Sequence, residues 1–365
     1  MKQNEPFRVL HIVGGMYPGG MENYIMNLYR NIDRTRVQFD FIIHIRKEND
    51  YVDQIKEMGG NVYLLPRLTR HPIKNLKQIK RIVKENGISV VIRHTANALI
   101  TPQLLAAKCG GAKTICHSHS TTDPQLTLHK LGRLFMKAAT DERWACSDDA
   151  GKWMFGKLDY RVINNAIDLN EFGYDTGRRE KIRNELIPNN TDARVYGHVG
   201  NFSEVKNHSY LLKVFKEIAD IQKNSFLFVI GEGELRPQIE AQIASLGLEG
   251  RVILTGIRAD VSSIMSAMDV MIFPSIYEGI PLTLIEAQAN GLQCVISDVI
   301  TDKVIVTEGI ISKLSINEAP DSWARLAIAK AEETRDNAGI HNSIREHGYD
   351  LKALAEWFEN YIVSM

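Results

Sequence analysis

Phe273-Pro274-Ser275-Ile276-Tyr277-Glu278-Gly279-Ile280-Pro281-Leu282-Thr283-Leu284-Ile285-Glu286-Ala287 carries two glutamates, Glu278 and Glu286, in a setting that decides the fold. An apolar strand, Val270 to Phe273, gives way to a Pro/Gly loop. A helical pattern then follows, with apolar residues at Leu282, Leu284, Ile285, Ala287 and Ala289. Strand, glycine-bearing turn and helix in that order place unpaired backbone N–H groups and a partial positive charge at the mouth of a sheet, which suits a phosphate. Glu278 in the loop and Glu286 in the helix bracket that mouth, each able to accept hydrogen bonds from hydroxyl pairs. A sugar joined to a ribose through a diphosphate has this layout.

Glutamates at such a spacing are common on solvated helix faces, so the weight rests on the frame around them. That frame, Pro-Ser-x-Tyr-Glu-Gly-x-Pro-Leu-x-x-x-Glu-Ala, resembles the donor-site motif of retaining, nucleotide-sugar-dependent glycosyltransferases of family 4. The resemblance implies the GT-B fold: α/β, with two Rossmann-like domains facing a cleft.

Length and composition fit that expectation. The 365 residues suit two domains, and 44% apolar with 24% charged residues is the balance of a globular protein. Lys plus Arg and Asp plus Glu are both 44, so no basic excess points to nucleic acid. Cys109, Cys116, Cys146 and Cys294 form no C-x-x-C pair, and buried thiols in a reducing compartment are the expectation. With neither a secretory signal pattern nor an apolar membrane-spanning run, the reading is a cytoplasmic protein or one peripheral to the inner face of the membrane.

Apolar runs alternate with amphipathic helical patterns. Strands are predicted at Val9 to Val13, Phe39 to His44, Asn61 to Leu65, Val90 to Ile92, Thr114 to His117, Arg143 to Ala145 and Val162 to Ile163. Helices are predicted at Glu22 to Asn31, Tyr51 to Met58, Ile73 to Glu85, Thr101 to Lys108 and Leu126 to Thr140. A second series opens at Val195 and continues through Phe226 to Ile230, Val252 to Thr255, Val270 to Phe273 and Cys294 to Ser297. This alternation predicts parallel, doubly wound sheets. The polar stretch after Phe172, ending near Asp192, reads as the domain boundary. The expected division is 1–175 for an acceptor-binding domain and 190–345 for a nucleotide-sugar-binding domain, with a helix at about 350–365 packing on the first.

Three further constellations bear on chemistry. Gly14-Gly15-Met16-Tyr17-Pro18-Gly19-Gly20-Met21-Glu22 follows the first strand and opens the first helix, so its glycines admit close approach of a diphosphate. It lacks the dinucleotide pattern G-x-G-x-x-G. Cys116-His117-Ser118-His119 ends a strand of the first domain, where α/β sheets collect ligands. Two histidines at i and i+2 also suggest a metal, but no third ligand is spaced nearby, and the expectation is no metal. Gly200-Asn201-Phe202-Ser203-Glu204-Val205-Lys206-Asn207-His208 places Lys206 just before a helix, where it can neutralise a phosphate.

The family resemblance extends to these segments. It implies that Gly19 and Gly20 face the donor diphosphate and help form the acceptor pocket, and that His117 or His119 touches the transferred sugar. It puts Lys206 and the residue at Asn201 on the diphosphate, Glu278 with Gly279, Ile280, Pro281 and Leu282 on the sugar, and Glu286 on the ribose hydroxyls. Asn201 departs from the arginine usual in the family. Ala145 to Gly156, Val162 to Asp168 and Gly231 to Leu235 also match. Asn27 to Asp33 and Gln38 to Phe41 resemble the exopolysaccharide, EpsF-like branch. After residue 297 the likeness fades, and Asn290 and Gln293 replace a small residue and a proline.

The implied activity is retaining, metal-independent transfer from a UDP- or GDP-linked sugar to a glycan or lipid-linked acceptor, with no cofactor. His117, His119, Glu278 and Lys206 are the implied catalytic residues. Basic residues on two predicted helices, Lys74, Lys77, Arg81 and Lys84 on one and His129, Lys130, Arg133 and Lys137 on the other, suit contact with anionic lipid. A non-catalytic nucleotide-sugar-binding or scaffolding protein, and a nucleotide-sugar epimerase, are the rival readings. An NAD-dependent oxidoreductase lacks its glycine fingerprint.

Overall fold

The structure, a computed structural model, describes residues 5–124, 126–335 and 339–365. The chain divides into two compact units, 1–166 with 351–365, and 167–350. Residues 167–175, read from sequence with the first unit, lie in the second.

The first unit holds a seven-stranded sheet made of β1 (Phe7–Ile12), β2 (Val37–Ile43), β3 (Val62–Leu64), β4 (Val90–Thr95), β5 (Lys113–Ser118), β6 (Glu142–Ala145) and β7 (Arg161–Val162). Their order is β3-β2-β1-β4-β5-β6-β7, and all pairings are parallel. Helices cover both faces, which is why β2 is buried at all seven positions rather than at alternate ones. The helix Leu351–Ser364 completes one face: Phe358 meets Phe39 and Trp144 at ring distances of 5.4 and 6.1 Å. Its Glu359 accepts from the Asp33 amide and from Arg36 at 2.8 and 2.9 Å.

The second unit contains β8 (Arg194–Val199), β9 (Ser225–Ile230), β10 (Val252–Gly256), β11 (Val270–Phe273), β12 (Gln293–Ser297) and β13 (Ile311–Leu314), in the order β10-β9-β8-β11-β12-β13. Again every pairing is parallel. Both sheets have the doubly wound arrangement, with a reversal of strand order beside the first strand of each unit.

The polar stretch expected to be the boundary is a helix, Thr176–Leu186, in the second unit. Asp175 caps it, accepting from Arg178 N at 2.6 Å. Arg179 and Arg183 then reach Asp269 at 2.6 and 2.8 Å, and Asp269 also accepts from Val195 N at 2.7 Å. This helix is held by charge-assisted hydrogen bonds rather than by an apolar stripe, so hydrophobic periodicity does not reveal it. The long helix predicted at Leu126 to Thr140 is two pieces, Leu126–Leu134 and Met136–Ala139, separated at Phe135.

Candidate functional site

In the second unit β8 and β11 lie side by side at the sheet's switch point. The loops leaving them are joined: Ile276 N donates to the Val205 carbonyl at 2.9 Å, and the Asn207 side-chain amide donates to the Pro274 carbonyl at 3.2 Å. Asn207 takes left-handed backbone angles, φ 55, which turn the chain into the helix His208–Ile221. These joints bring Lys206 and Glu278 together. Nζ lies 2.6 Å from Oε1, and the side chains are 15% and 14% exposed.

The bed under Lys206 is aromatic. Its ammonium stands 4.7 Å from the centre of the Phe273 ring, and His198 stacks on the same ring at 5.3 Å. His198 Nδ1 donates to the Ile272 carbonyl at 2.9 Å, and burial pushes this imidazole down to about 3, so it adds no charge beside the lysine. A Cβ on Gly200 would stand 3.1 Å from the Lys206 stem and 3.2 Å from His198, which is why a residue without one suits this turn. Gly231, at φ 144, packs against the Gly200 carbonyl for the same reason.

From Glu278 the chain passes exposed Gly279 and half-buried Ile280 to Pro281, which precedes the helix Leu282–Ala289. Pro281 gives this helix no side-chain cap, so its amino end keeps donors for a ligand. Glu286 lies one turn further on. Burial, with Glu171 adding like-charge repulsion, raises its carboxyl to about 7. Asn201 is exposed on the β8 loop, its side-chain oxygen accepting from Ser203 at 3.4 Å.

Of the three positions where the sequence departs from its family, Asn290 and Gln293 are buried in the second unit. Asn290 is fully buried, donating to the Phe172 carbonyl at 2.9 Å and to Ser266 at 3.1 Å while accepting from Arg335. Gln293 is a buried residue of β12. The segment beyond residue 297, where the sequence likeness was expected to fade, is fastened by buried Gln288, which accepts from the Val306 and Thr307 amides, both at 3.0 Å, and donates to the Val304 carbonyl at 2.8 Å.

In the first unit, Gly19 precedes the helix Gly20–Asn31 without a side-chain cap. A Cβ on Gly19 would stand 2.7 Å from the Glu22 carboxylate, which lies over this helix end and is 8% exposed. Gly20 is exposed, with open space where a side chain would be. This helix end therefore already has a carboxylate of its own beside it.

Register places a group of histidines on one face of the first sheet. His94 pairs with His117 across β4 and β5, and His11 pairs with Ile92, two residues before His94. His119 follows His117 by two and bonds back through its amide to the Thr95 carbonyl. His11 Nδ1 and His94 Nε2 stand 2.9 Å apart, and His94 Nδ1 and His119 Nε2 3.0 Å. His117 is fully buried with neither ring nitrogen bonded, whereas His119 is half-buried. Burial lowers all four, His11 and His119 to about 3.

Two expectations are corrected here. The two histidines do have a third beside them: His94, His117 and His119 offer ring nitrogens all within 4.8 Å of one another. Local spacing cannot reveal His94, because parallel pairing supplies it. His129 does not join a basic surface. It is buried, stacks on Trp153 at 4.1 Å and bonds to Ala98 N and the Trp153 carbonyl. Around it, Leu126, Leu128, Leu131, Leu134 and Phe135 are exposed beside Lys130 and Lys137. No helix among the described residues is long and apolar enough to cross a membrane.

Comparison with known proteins agrees with this architecture. The family described as Glycosyltransferase Family 4 matches residues 18–171, and that described as Glycosyl transferases group 1 matches residues 178–347. The chain is 34% identical over 362 residues to EpsF of Bacillus subtilis, itself only assigned as a glycosyltransferase, covering 94% of this chain and 93% of that one. It is 24% identical over 282 residues to the Escherichia coli UDP-Gal:alpha-D-GlcNAc-diphosphoundecaprenol alpha-1,3-galactosyltransferase, covering 72% of each. Anabaena Alr3699/HepE in complex with UDP superposes with a TM-score of 0.80 at 18% identity, over 98% of this chain and all of the other. The same protein with UDP-glucose gives 0.75, also at 18% identity and over 98% and 100% of the two chains. With two parallel-sheet domains of this order and a near full-length relative, the chain belongs to glycosyltransferase family 4, of the GT-B fold.

Proposed function

We infer that this glycosyltransferase moves a sugar, with retention of anomeric configuration, from a UDP- or GDP-linked donor to a glycan or lipid-linked acceptor. The observation that carries the reading is the Lys206–Glu278 pair beside the uncapped helix end at the β8/β11 switch point. The UDP and UDP-glucose complexes of HepE favour uridine, and the E. coli relative, named for an undecaprenol-linked substrate, favours a lipid-linked acceptor.

An ammonium has three donors, so Lys206 can keep Glu278 and still bind a phosphate oxygen. Bond cleavage leaves positive charge at the anomeric carbon and negative charge on the departing diphosphate. Lys206 and the amides at Leu282 and Thr283 meet the negative charge in place, with no reorganisation. The diphosphate is thus neutralised by the chain's own groups, which is the sense of metal independence proposed for the donor site. The acceptor oxygen bonds the anomeric carbon on the face the diphosphate vacates while a leaving phosphate oxygen takes the acceptor proton, which gives retention. Glu278 holds the sugar with the backbone of Gly279 to Leu282, Glu286 receives the ribose hydroxyls, and Asn201 lies along the diphosphate.

In the first unit, Gly19, Gly20 and His119 are the proposed acceptor-side groups. His117 is sealed and supports His119 rather than touching sugar. The exposed apolar and basic side chains of the helix Leu126–Leu134, with Phe135 and Lys137, suit an anionic membrane surface holding the acceptor.

A thermal-shift screen of UDP-, GDP- and ADP-linked sugars on the parent, Lys206→Ala and Glu286→Ala tests the donor site, because a ligand bound only to folded protein raises its stability. One donor should stabilise the parent and neither variant. NMR of the product tests stereochemistry, and an inverted anomeric centre overturns retention. Asn201, which removes a family cation, favours one second reading, a binding protein without turnover. Donor binding with no transfer to any acceptor would establish it.

A further inference from the structure

We propose that His94, His117 and His119 form a three-histidine site for one divalent transition-metal ion of the zinc class in the first unit. The inference does not rest on the donor site of the second unit and is read without substrate, although it shares His119 with the proposed acceptor side.

Three observations converge. The nitrogens of the three side chains lie within 4.8 Å of one another, and His94 Nδ1 and His119 Nε2 are 3.0 Å apart. Tetrahedral nitrogen ligands about 2.0–2.1 Å from zinc stand about 3.3 Å from each other, so small ring shifts suffice to admit an ion. His117 is the second, independent sign. It is fully buried and its two ring nitrogens have no partner. A buried polar group without a partner is costly, and a metal ion satisfies one of those nitrogens.

The third observation is the support behind the ligands. With His94 Nδ1 turned toward His119, His94 Nε2 faces His11 Nδ1 at 2.9 Å. With His94 Nε2 donating to His11 Nδ1, His94 Nδ1 is the unprotonated nitrogen and can ligate, the arrangement that outer-shell partners give metal-bound histidines. His11 is wedged in turn between Phe39 and Phe41, at ring distances of 4.1 and 5.4 Å. Tyr24 closes over His117 and His119 at 5.3 and 5.7 Å. All three ligands are neutral, so the ion keeps its charge. Three protein ligands leave a position for an oxygen donor such as water, hydroxide or phosphate, reached from the half-buried His119 side.

The test uses the full chain after chelator treatment. Co2+ is titrated while visible absorption is followed, then Zn2+ is added in competition, and metal content is measured after desalting. The expected result is one ion per chain, tetrahedral Co2+ bands that Zn2+ abolishes, and loss of both in His94→Gln and His119→Gln. His11→Asn keeps the three ligands and should weaken binding 10- to 100-fold. If His94→Gln fails to fold by circular dichroism, His119→Gln, at the less buried position, decides. No uptake by the parent, or uptake equal in parent and His119→Gln, overturns the proposal and leaves a hydrogen-bonded imidazole cluster.

Discussion

The carboxyl ends of β1, β4 and β5 in the first unit and of β8 and β11 in the second occupy equivalent places in two sheets of like order, yet their chemistry is opposite. The first gathers four imidazoles that burial keeps neutral, and its helix end is covered by Glu22. The second presents an ion pair, an uncapped helix end and a carboxyl poised near neutrality. Topology thus fixes where a ligand sits, and the residues at that place decide its charge. A diphosphate needs the second arrangement, whereas an uncharged polyol or a metal ion suits the first.

The largest expected effect tests the neutrality that His198 shares with the first cluster. Its folded value near 3 lies below the ordinary 6.5, so the unfolded chain takes up protons first as pH falls. Stability from this residue is complete above about pH 6.5 and is lost toward pH 3, on the order of 1.4 kcal/mol per unit of difference. Urea unfolding at several pH values should show this slope, and His198→Gln should reduce it. Next comes the charged side of the contrast. Lys206→Ala should weaken donor binding by roughly 10- to 100-fold, from the loss of a charge-assisted contact of about 1.5–3 kcal/mol. His119→Ala should leave donor binding unchanged, and calorimetry compares the two.

Glu286 sharpens the contrast with a sign opposite to that of His198. Its folded value is raised from 4.5 to about 7, so its stabilising effect is greatest below the unfolded value and is lost as pH rises through 7. If ribose hydroxyls require the ionised form, donor affinity should fall about tenfold per unit below pH 7. Glu286→Gln should flatten that dependence even if it weakens binding. The smallest effect is expected from Asn201→Arg, which restores an exposed cation worth at most about 1 kcal/mol and should improve donor affinity no more than a few-fold. A larger gain would mean that Asn201 lies closer to the diphosphate than its exposure suggests.

The strand, loop and helix between Val270 and Ala289 were legible because they are contiguous in one window of sequence, whereas Lys206 reaches Glu278 only because β8 lies beside β11. The histidine cluster was half legible. His117 and His119 are neighbours in sequence, but His11 and His94 join them only through strand register. His11 and His117 fall within predicted strands, whereas His94 and His119 lie two residues past the ends predicted for theirs. β13 was missed because all four of its residues are only half-buried at the sheet edge, leaving neither a continuous apolar run nor clean alternation. Asn290 looked like a departure from the family and proved to be an anchor, which depends on Arg335 arriving from a distant segment.

The helix Leu351–Ser364 has a consequence for how the protein is made. Phe358 belongs to the core of a unit whose strands all precede residue 167. On the ribosome, that core therefore waits with an open apolar slot beside Phe39 and Trp144 while the whole second unit is synthesised and becomes able to fold. The first half to be translated is the last to be finished, so chaperone dependence during synthesis should centre on the unit whose sequence emerges earliest.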